Sequence, residues 1–350
     1  MSLTELIVDE EITIREAIRR LDISAKKILL IVDGTKLKAV LTDGDIRRWI
    51  LKNGDLQYPI KEIMNVTPIY LNVNDKVKAK ELMKEHFIEA IPLVDEENNL
   101  QSIVFWNEEN DEKLNFFTKL DTPVVIMAGG KGTRLYPYTK ILPKPLIPIG
   151  ETPIVERIIN KFNDFGCSDF YLTVNYKKNM IKSYFNDLNK EYNVVFVEED
   201  KPLGTGGSLY LLKDTLDKTF FVSNCDILVE ANYSDILKFH KKKGNKITMV
   251  TSLKCFRVPY GVIHLNQDET VNKIEEKPEH TYLVNTGLYI MEPETLNDIP
   301  ENQFYNLPDL YEYYMKKGEK VGVYPISEGS WMDMGQIDEM NEMMKKLGVD

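Results

Sequence analysis

An unbroken apolar run, Val124-Val125-Ile126-Met127-Ala128, leads directly into Gly129-Gly130-Lys131-Gly132-Thr133-Arg134-Leu135. A stretch this short and this apolar, ended by glycine, is a strand buried in a core and followed by a tight turn. The turn has a chemistry of its own. Its glycines let backbone N–H groups come close to a phosphate, and Lys131 and Arg134 can neutralise one. Counting excludes two better-known phosphate loops. A Walker loop needs Gly-Lys-Ser/Thr after four intervening residues, and the dinucleotide fingerprint needs glycine where Leu135 stands. Alone, the segment is equally well a turn that closes a strand.

A chain of 350 residues and 40.5 kDa exceeds one packed core and points to two or three domains. With 43% hydrophobic and 28% charged residues it matches soluble globular proteins, which excludes disordered, collagen-like and fibrous classes. Lys+Arg 44 against Asp+Glu 55 leaves a net charge of −11, removing the broad positive field that nonspecific nucleic-acid binding needs. Cys167, Cys225 and Cys255 form no C-x-x-C unit, and His86, His240, His264 and His280 show no metal-ligand spacing. All are read as structural or surface residues. No apolar stretch approaches the roughly 18 residues of a membrane span, and the first residues do not open a signal peptide. A reducing cytoplasm is the expected setting.

The N-terminal part holds a weak internal repeat. Thr13 to Arg20 has the pattern of an amphipathic helix, Ile28 to Val32 reads as a strand, Asp33-Gly34 as a turn and Leu37 to Leu41 as a second strand. The order returns downstream, with a helix over Asp75 to His86, apolar Ala90 to Val94, a turn over Asp95 to Asn99 and a strand over Leu100 to Val104. Neither copy easily buries its apolar face alone, so the two are expected to pack into one small α/β module. Thr42-Asp43-Gly44-Asp45-Ile46-Arg47-Arg48 closes the first copy. There a carboxylate can accept both ribose hydroxyls, and a helix beginning near Asp45 favours a phosphate. With this motif, residues 1 to 110 resemble a tandem pair of cystathionine-β-synthase-type (CBS) domains, one over 1–60 and one over 61–115. The resemblance implies that Thr42 and Asp45 contact the phosphate and ribose of a regulatory adenine or guanine nucleotide. Phe105-Trp106-Asn107-Glu108 replaces the Thr-x-x-Asp unit in the second copy, leaving at most one intact site. A pair that only packs and dimerises is the alternative. The acidic, then mixed stretch Glu108 to Asp121 reads as the connection to the next domain.

Beyond it, Pro143-Lys144-Pro145-Leu146-Ile147-Pro148-Ile149 sets one lysine in a backbone stiffened by prolines on both sides, which narrows the directions open to its ammonium. A-G-G-K-G-T-R-L followed by P-K-P-L-I-P-I resembles the sugar-1-phosphate nucleotidyltransferase family. The resemblance implies a Rossmann-like α/β domain over 122–350 with a mixed, mainly parallel sheet. It assigns Lys131, Arg134 and Lys144 to catalysis, the first two on the triphosphate and Lys144 nearer the α-phosphate. Ala128, Gly129, Gly130, Gly132 and Thr133 would bind the nucleotide. Gly204, Thr205 and Gly206 would join them from Pro202-Leu203-Gly204-Thr205-Gly206-Gly207, a loop whose glycines admit base and ribose. Phe220 to Asp226 reads as a buried strand ending in a carboxylate, with Cys225 where relatives more often have glycine, and Trp331-Met332-Asp333-Met334-Gly335 resembles the family's W-x-D-x-G motif. By that resemblance Asp226 and Asp333 converge on Mg²⁺. On the sugar side, Glu276 can accept from hydroxyls, Lys277 can pair with the phosphate, Asn285 can donate and accept, and Gly261 leaves room for a backbone N–H contact. Met340, Met343 and Met344 in the closing helix, Asp338 to Leu347, form a packing stripe.

The implied chemistry is in-line attack of a sugar 1-phosphate oxygen on the α-phosphorus of a nucleoside triphosphate, with pyrophosphate leaving. The protein supplies position and positive charge. Mg²⁺ typically takes one or two carboxylates plus phosphate oxygens, which suits two isolated Asp residues. Glu199 is the candidate reader of the base. It stands three residues before Pro202, where guanylyltransferases carry an acid, and a carboxylate suits the adjacent N1–H and N2 donors of guanine. A solvated acid within Glu198-Glu199-Asp200 is the alternative. Taken whole, the chain resembles the glucosamine-1-phosphate guanylyltransferases of bacterial legionaminic acid synthesis. That implies GTP and α-D-glucosamine 1-phosphate as substrates, GDP-glucosamine as product, and a homodimer. The alternatives are mannose-1-phosphate guanylyl transfer, a pairing with UTP or dTTP, and a non-enzymatic regulatory subunit that binds sugar nucleotide. Such a subunit would have lost Lys131, Arg134, Asp226 or Asp333, and all are present.

Overall fold

The structure, a computed structural model, describes residues 3–24, 26–86, 88–106 and 120–349. The expected connection over Glu108 to Asp121 lies outside the described residues as far as residue 119, and so do Asn107 and Glu108 of the second repeat.

The N-terminal unit is built twice on one plan. The first copy comprises β1 (Ile7–Val8), α1 (Ile14–Ser24), β2 (Ile28–Asp33), β3 (Lys36–Thr42) and α2 (Asp43–Ile50). The second comprises β4 (Leu71–Asn72), α3 (Ala79–His86), β5 (Ala90–Val94) and β6 (Leu100–Phe105). In each sheet the short first strand runs parallel to the second, which runs antiparallel to the third. The repeat seen as a hydrophobic pattern is therefore a repeat of topology. α1 buries Ile14, Ala17 and Leu21 at helical spacing. Between the copies, Ile28, Leu30, Leu37 and Val40 pack with Val94, Ala90 and Ile103, so each copy closes the other's core. Two details differ from expectation. The helix expected from Asp75 begins as a 3-10 segment, Val73–Lys78, before α3, and α2 starts at Asp43 because Thr42 and Asp45 cap it.

The C-terminal unit begins with β7 (Val124–Met127), then α4 (Tyr138–Ile141), β8 (Pro148–Ile149), β9 (Thr152–Pro153), α5 (Ile154–Asp164), β10 (Asp169–Val174), α6 (Lys178–Asp187) and β11 (Asn193–Glu198). It continues with α7 (Gly204–Gly207), β12 (Phe220–Asn224), β13 (Ile227–Val229), α8 (Tyr233–Lys243), β14 (Ile247–Arg257), β15 (Val262–Leu265), β16 (Val271–Glu275) and β17 (Glu279–Met291). α9 (Leu307–Lys316), β18 (Val321–Ile326), β19 (Trp331–Asp333) and α10 (Ile337–Leu347) complete it. The main sheet has the order β11-β10-β7-β12-β17-β14-β18. Only β17 runs against the others, so the sheet is mixed and mainly parallel, as the family resemblance implied. β7 is apolar throughout because both its faces are covered: Val124 and Ile126 face one core cluster and Val125 the other. Met340 and Met343 of α10 are buried in the first cluster and Met344 packs against it.

The order of the strands places the site. From β7 the chain moves outward to β10 and β11, then returns to lay β12 on the other side of β7. The crevice beyond the carboxyl ends of strands at such a switch point is where α/β sheets bind ligands. The loops leaving β7 and β12 meet there. The N-terminal unit docks beside the carboxyl end of β14, where Arg15 and Arg19 of α1 pair with Glu279 at 3.4 and 2.7 Å. Among the described residues no helix is long and apolar enough to cross a membrane.

Candidate active site

The loop after β7 is pinned at its start, where the Ala128 amide donates to the Thr173 carbonyl at 2.9 Å. Gly132 has φ of 65°, and a Cβ there would lie 2.9 Å from both Lys144 Cβ and Thr139 Cγ2. Glycine at this position therefore lets the phosphate-type loop pack directly on the P-K-P segment. Lys131 and Arg134 are exposed and form no hydrogen bond or ion pair with another described residue, which leaves two cations beside the crevice. Lys144 is mostly buried and donates to Asp226. Burial works against the Lys144 charge, but Asp226, with Cys225 and Asp333, outweighs it and raises the ammonium's pKa above its ordinary value.

Asp226 lies in a two-residue turn between β12 and β13. Cys225 fits that turn without a positive φ, and burial pushes its thiol up to about 12, so it is inert. β13 pairs antiparallel with β19, with Ile227 opposite Asp333, and the Met334 amide donates to the Asp226 carbonyl at 2.8 Å. Burial, then the Asp226 carboxylate and Glu339, push the Asp333 carboxyl up to about 6. Two carboxylates thus converge with a single lysine between them. Among the described residues no group of three or more His, Cys, Asp or Glu is arranged to hold a metal. Two carboxylates with substrate oxygens completing the shell fit a hard divalent cation nonetheless, and the mutual repulsion at Asp333 is what such a cation relieves.

Glu199 follows β11, and it is 6% exposed while Glu198 and Asp200 on either side face solvent, which removes the solvated-acid alternative. Its Oε2 accepts the Leu203 amide at 3.1 Å. Its Oε1 lies against the phosphate-type loop, 2.4 Å from where a Cβ on Gly129 would be. Burial pushes this carboxyl above its ordinary range, only partly offset by the Leu203 bond.

A family model described as nucleotidyl transferase matches residues 123–348. The chain belongs to the nucleotidyl transferase family. It is 35% identical over 222 residues to a mannose-1-phosphate guanyltransferase of Saccharomyces cerevisiae, covering 61% of this chain and 61% of that protein. It is 34% identical over 221 residues to the protein of that name from Aspergillus oryzae, covering 61% and 60%. The chain thus spans about three-fifths of the length of the curated relatives it matches. The crystal structure of HddC from Yersinia pseudotuberculosis is similar at 26% identity with a TM-score of 0.52, covering 65% of this chain and 99% of that one.

Within the transferase domain three of the expected sugar-side residues, Gly261, Glu276 and Lys277, lie together. A Cβ on Gly261 would lie 3.1 Å from Glu276 Oε2, so these two are adjacent, and the exposed Lys277 stands 3.8 Å from Glu276. Asn285 is engaged already: its Nδ2 donates to the Tyr289 hydroxyl at 2.7 Å and its Oδ1 accepts the Gly287 amide at 3.1 Å. Among the described residues no hydrogen bond or ion pair joins this group to Lys144 or Asp226. Two functional candidates escaped the sequence. Asn175 donates to the Glu199 carbonyl at 2.8 Å and flanks Gly129, and Asn224 packs on Gly287, where φ of 89° and an absent Cβ make room for it. No pattern marks a lone amide.

The glycines of the P-L-G-T-G-G segment have a packing reason beside the expected one. A Cβ on Gly204 would lie 2.7 Å from the Tyr305 carbonyl oxygen, and one on Gly207 would lie 2.4 Å from that of Gln303. Gly206 and Gly207 donate to Tyr305, and Thr205 Oγ1 accepts the Leu307 amide. The P-L-G-T-G-G segment thus packs closely on the backbone before α9.

In the N-terminal unit Thr42 and Asp45 are each other's partners. The Thr42 amide and hydroxyl both donate to Asp45 Oδ2, at 2.9 and 2.7 Å, and Arg48 pairs with Oδ1. The expected acceptor of ribose hydroxyls is thus also the cap of α2.

Proposed function

We propose that the chain transfers GMP from GTP to a hexose 1-phosphate, releasing pyrophosphate and a GDP-sugar. The observation that carries this reading is the buried Glu199 carboxylate against the phosphate loop, an acceptor matched to the paired donors of guanine. Arg134 and Lys131 take the β- and γ-phosphates, whose charge grows as the leaving group departs. Lys144, held by Asp226 in a proline-flanked backbone, orients the α-phosphate for in-line attack. Asp226 and Asp333 would hold Mg²⁺, which supplies Lewis-acid polarisation of the phosphates when bound. Glu276, Lys277, Asn285 and Gly261 take the sugar phosphate. With a nucleoside triphosphate as donor, the cytoplasm is the proposed setting.

Mannose 1-phosphate is the first acceptor to test, because relatives at 34–35% identity carry that name. Glucosamine 1-phosphate is the second, on the resemblance of the whole arrangement. A CBS-type pair binding a regulatory nucleotide at Thr42 and Asp45 belongs to the same proposal, supported by the duplicated topology. A pyrophosphate-release screen of GTP, ATP, CTP, UTP and dTTP against mannose, glucosamine, N-acetylglucosamine and glucose 1-phosphates decides it. Turnover with GTP and one hexose 1-phosphate is expected. Preference for UTP or dTTP removes the guanine reading, and no turnover with any pair leaves a binding subunit.

A further inference from the structure

The three adjacent sugar-side residues are carried on a narrow stalk. In the main sheet β12 pairs with β17 only over residues 288–291, and β18 pairs with β14 only over residues 247–252. The remainder, residues 253–257 of β14 against 279–283 of β17, is a two-stranded arm. Gly261, Glu276 and Lys277 lie where its tip passes into the β15–β16 hairpin. At the arm's root the register slips between Val250 and Thr251, beside Gly287 with its φ of 89°. A two-stranded ribbon is only marginally stable by itself. The hairpin gives it no anchor, since Ile263, Leu265, Val271 and Ile274 are exposed. From the transferase domain Trp331 meets the arm, with Lys254 Nζ 5.7 Å from the centre of its ring.

Lys277 makes the setting of the arm matter. Its φ is 47°, a left-handed conformation that side-chain-bearing residues seldom adopt, and it stands directly before Pro278. Such a conformation persists where the surrounding structure imposes it. Here the constraint is next door: the Val258 amide donates to the Pro278 carbonyl at 3.0 Å, and Arg257 stands opposite Glu279. The direction of the Lys277 ammonium therefore depends on how firmly the start of β17 is held.

The N-terminal unit holds it. Arg19 Nη2 donates to both Glu279 oxygens, at 2.9 and 2.7 Å, and Arg15 Nη1 donates to Glu279 Oε2 at 3.4 Å and to Cys255 Sγ of β14 at 3.3 Å. Arg15 thereby touches both strands of the arm, from a helix whose other face is buried in the N-terminal core. Burial opposes the Glu279 charge, but Arg19, Arg15 and Arg257 outweigh it and hold the carboxyl below its ordinary range. Beside these pairs a cavity of about 380 Å³ separates Ile50 and Leu56 of the N-terminal unit from Leu253 and Tyr282 of the arm. At this face the units are joined by charge more than by packing.

We propose that Arg15 and Arg19 are positioning residues for the sugar 1-phosphate: through Glu279 the N-terminal unit braces the arm that carries Glu276 and Lys277, and so sets acceptor affinity without touching the acceptor. The inference rests on the proposed acceptor site and adds to it the unit that positions it.

Hydrogen–deuterium exchange of the full chain, followed by mass spectrometry on peptides from residues 253–285, reads the brace, and steady-state kinetics read its effect on the acceptor. The double variant Arg15→Ala, Arg19→Ala, in which alanine preserves α1, should speed exchange in the arm by about fivefold or more. It should raise KM for mannose 1-phosphate or glucosamine 1-phosphate, whichever the pyrophosphate screen returns, by a similar factor, while kcat and KM for GTP stay as in wild type. Glu279→Gln, which keeps the shape of the side chain, should reproduce both effects, and it carries the test if the double variant does not fold. Combining Glu279→Gln with the arginine variants should add little, because the same interaction is removed from either side. Arg19→Lys should recover most of the acceptor affinity lost in Arg19→Ala. Unchanged exchange overturns the brace. Faster exchange with an unchanged acceptor KM overturns the positioning role, and so do equal rises in KM for GTP and for the acceptor, or losses that add. A wild type that turns over no hexose 1-phosphate defeats the guanylyl-transfer reading and the positioning role together, whereas the exchange result still decides the brace.

Discussion

Glu199 Oε2 accepts the Leu203 amide at 3.1 Å, which ties the end of β11 to the P-L-G segment and leaves Oε1 facing the phosphate loop at Gly129. Of three consecutive acids, burial singles out this one. A charge-assisted hydrogen bond contributes roughly 1.5 to 3 kcal/mol, or about ten- to a hundredfold in relative kcat/KM. Glu199→Gln is therefore expected to lower kcat/KM for GTP by that factor and to spare a poor substrate such as UTP. Steady-state rates with both nucleotides check it, and equal losses would show that Glu199 does not read the base.

A pH dependence follows from the same residue. Burial raises the Glu199 carboxyl above its ordinary range, so it protonates at a higher pH than an exposed carboxylate. Protonated, it no longer accepts from both guanine donors. Use of GTP should then fall on the acid side before use of UTP does, and in Glu199→Gln the two profiles should coincide there. Parallel wild-type profiles for the two nucleotides would remove this assignment.

Asp226→Asn and Asp333→Asn should each leave a folded protein and lower turnover by orders of magnitude, because each removes charge from the cation site. Lys144→Ala should also damage turnover, and it leaves Asp226 without its ammonium partner. Circular dichroism separates lost chemistry from lost fold. Near wild-type turnover in either Asp variant would take that residue out of the metal site.

How far the sequence could be read depended on what kind of feature carried each part. The duplicated N-terminal plan was legible because hydrophobic periodicity reports burial directly, down to Ala90–Val94 as a strand. The phosphate loop and Lys144 were legible as motifs, and the structure joins them through the missing Cβ of Gly132. The P-L-G-T-G-G loop was ambiguous in principle, since glycine is required equally by an approaching ligand and by an approaching backbone, here that of Gln303 and Tyr305. Thr42-x-x-Asp45 had the spacing of a capping box, and a cap and a ligand contact use the same donors and acceptors. Asn175 and Asn224 were invisible because their roles arise from strand order, which no local pattern encodes.

The paired glycines that open the phosphate loop give the last test. A Cβ on Gly129 would lie 2.4 Å from Glu199 Oε1 and 3.5 Å from Asn175 Cβ, whereas one on Gly130 would meet nothing within 4 Å. Neither glycine has a positive φ, so alanine costs no backbone strain at either position. Gly129→Ala must push the Glu199 carboxylate aside, and it is expected to lower use of GTP about as much as Glu199→Gln does, roughly ten- to a hundredfold. Gly130→Ala leaves the protein's own packing untouched, so any loss of turnover there reports the approach of a phosphate to the loop. Comparing kcat/KM for GTP and thermal unfolding in the two variants separates the cases. A Gly129→Ala enzyme that folds and uses GTP like wild type would show that Glu199 is not held where the base is read.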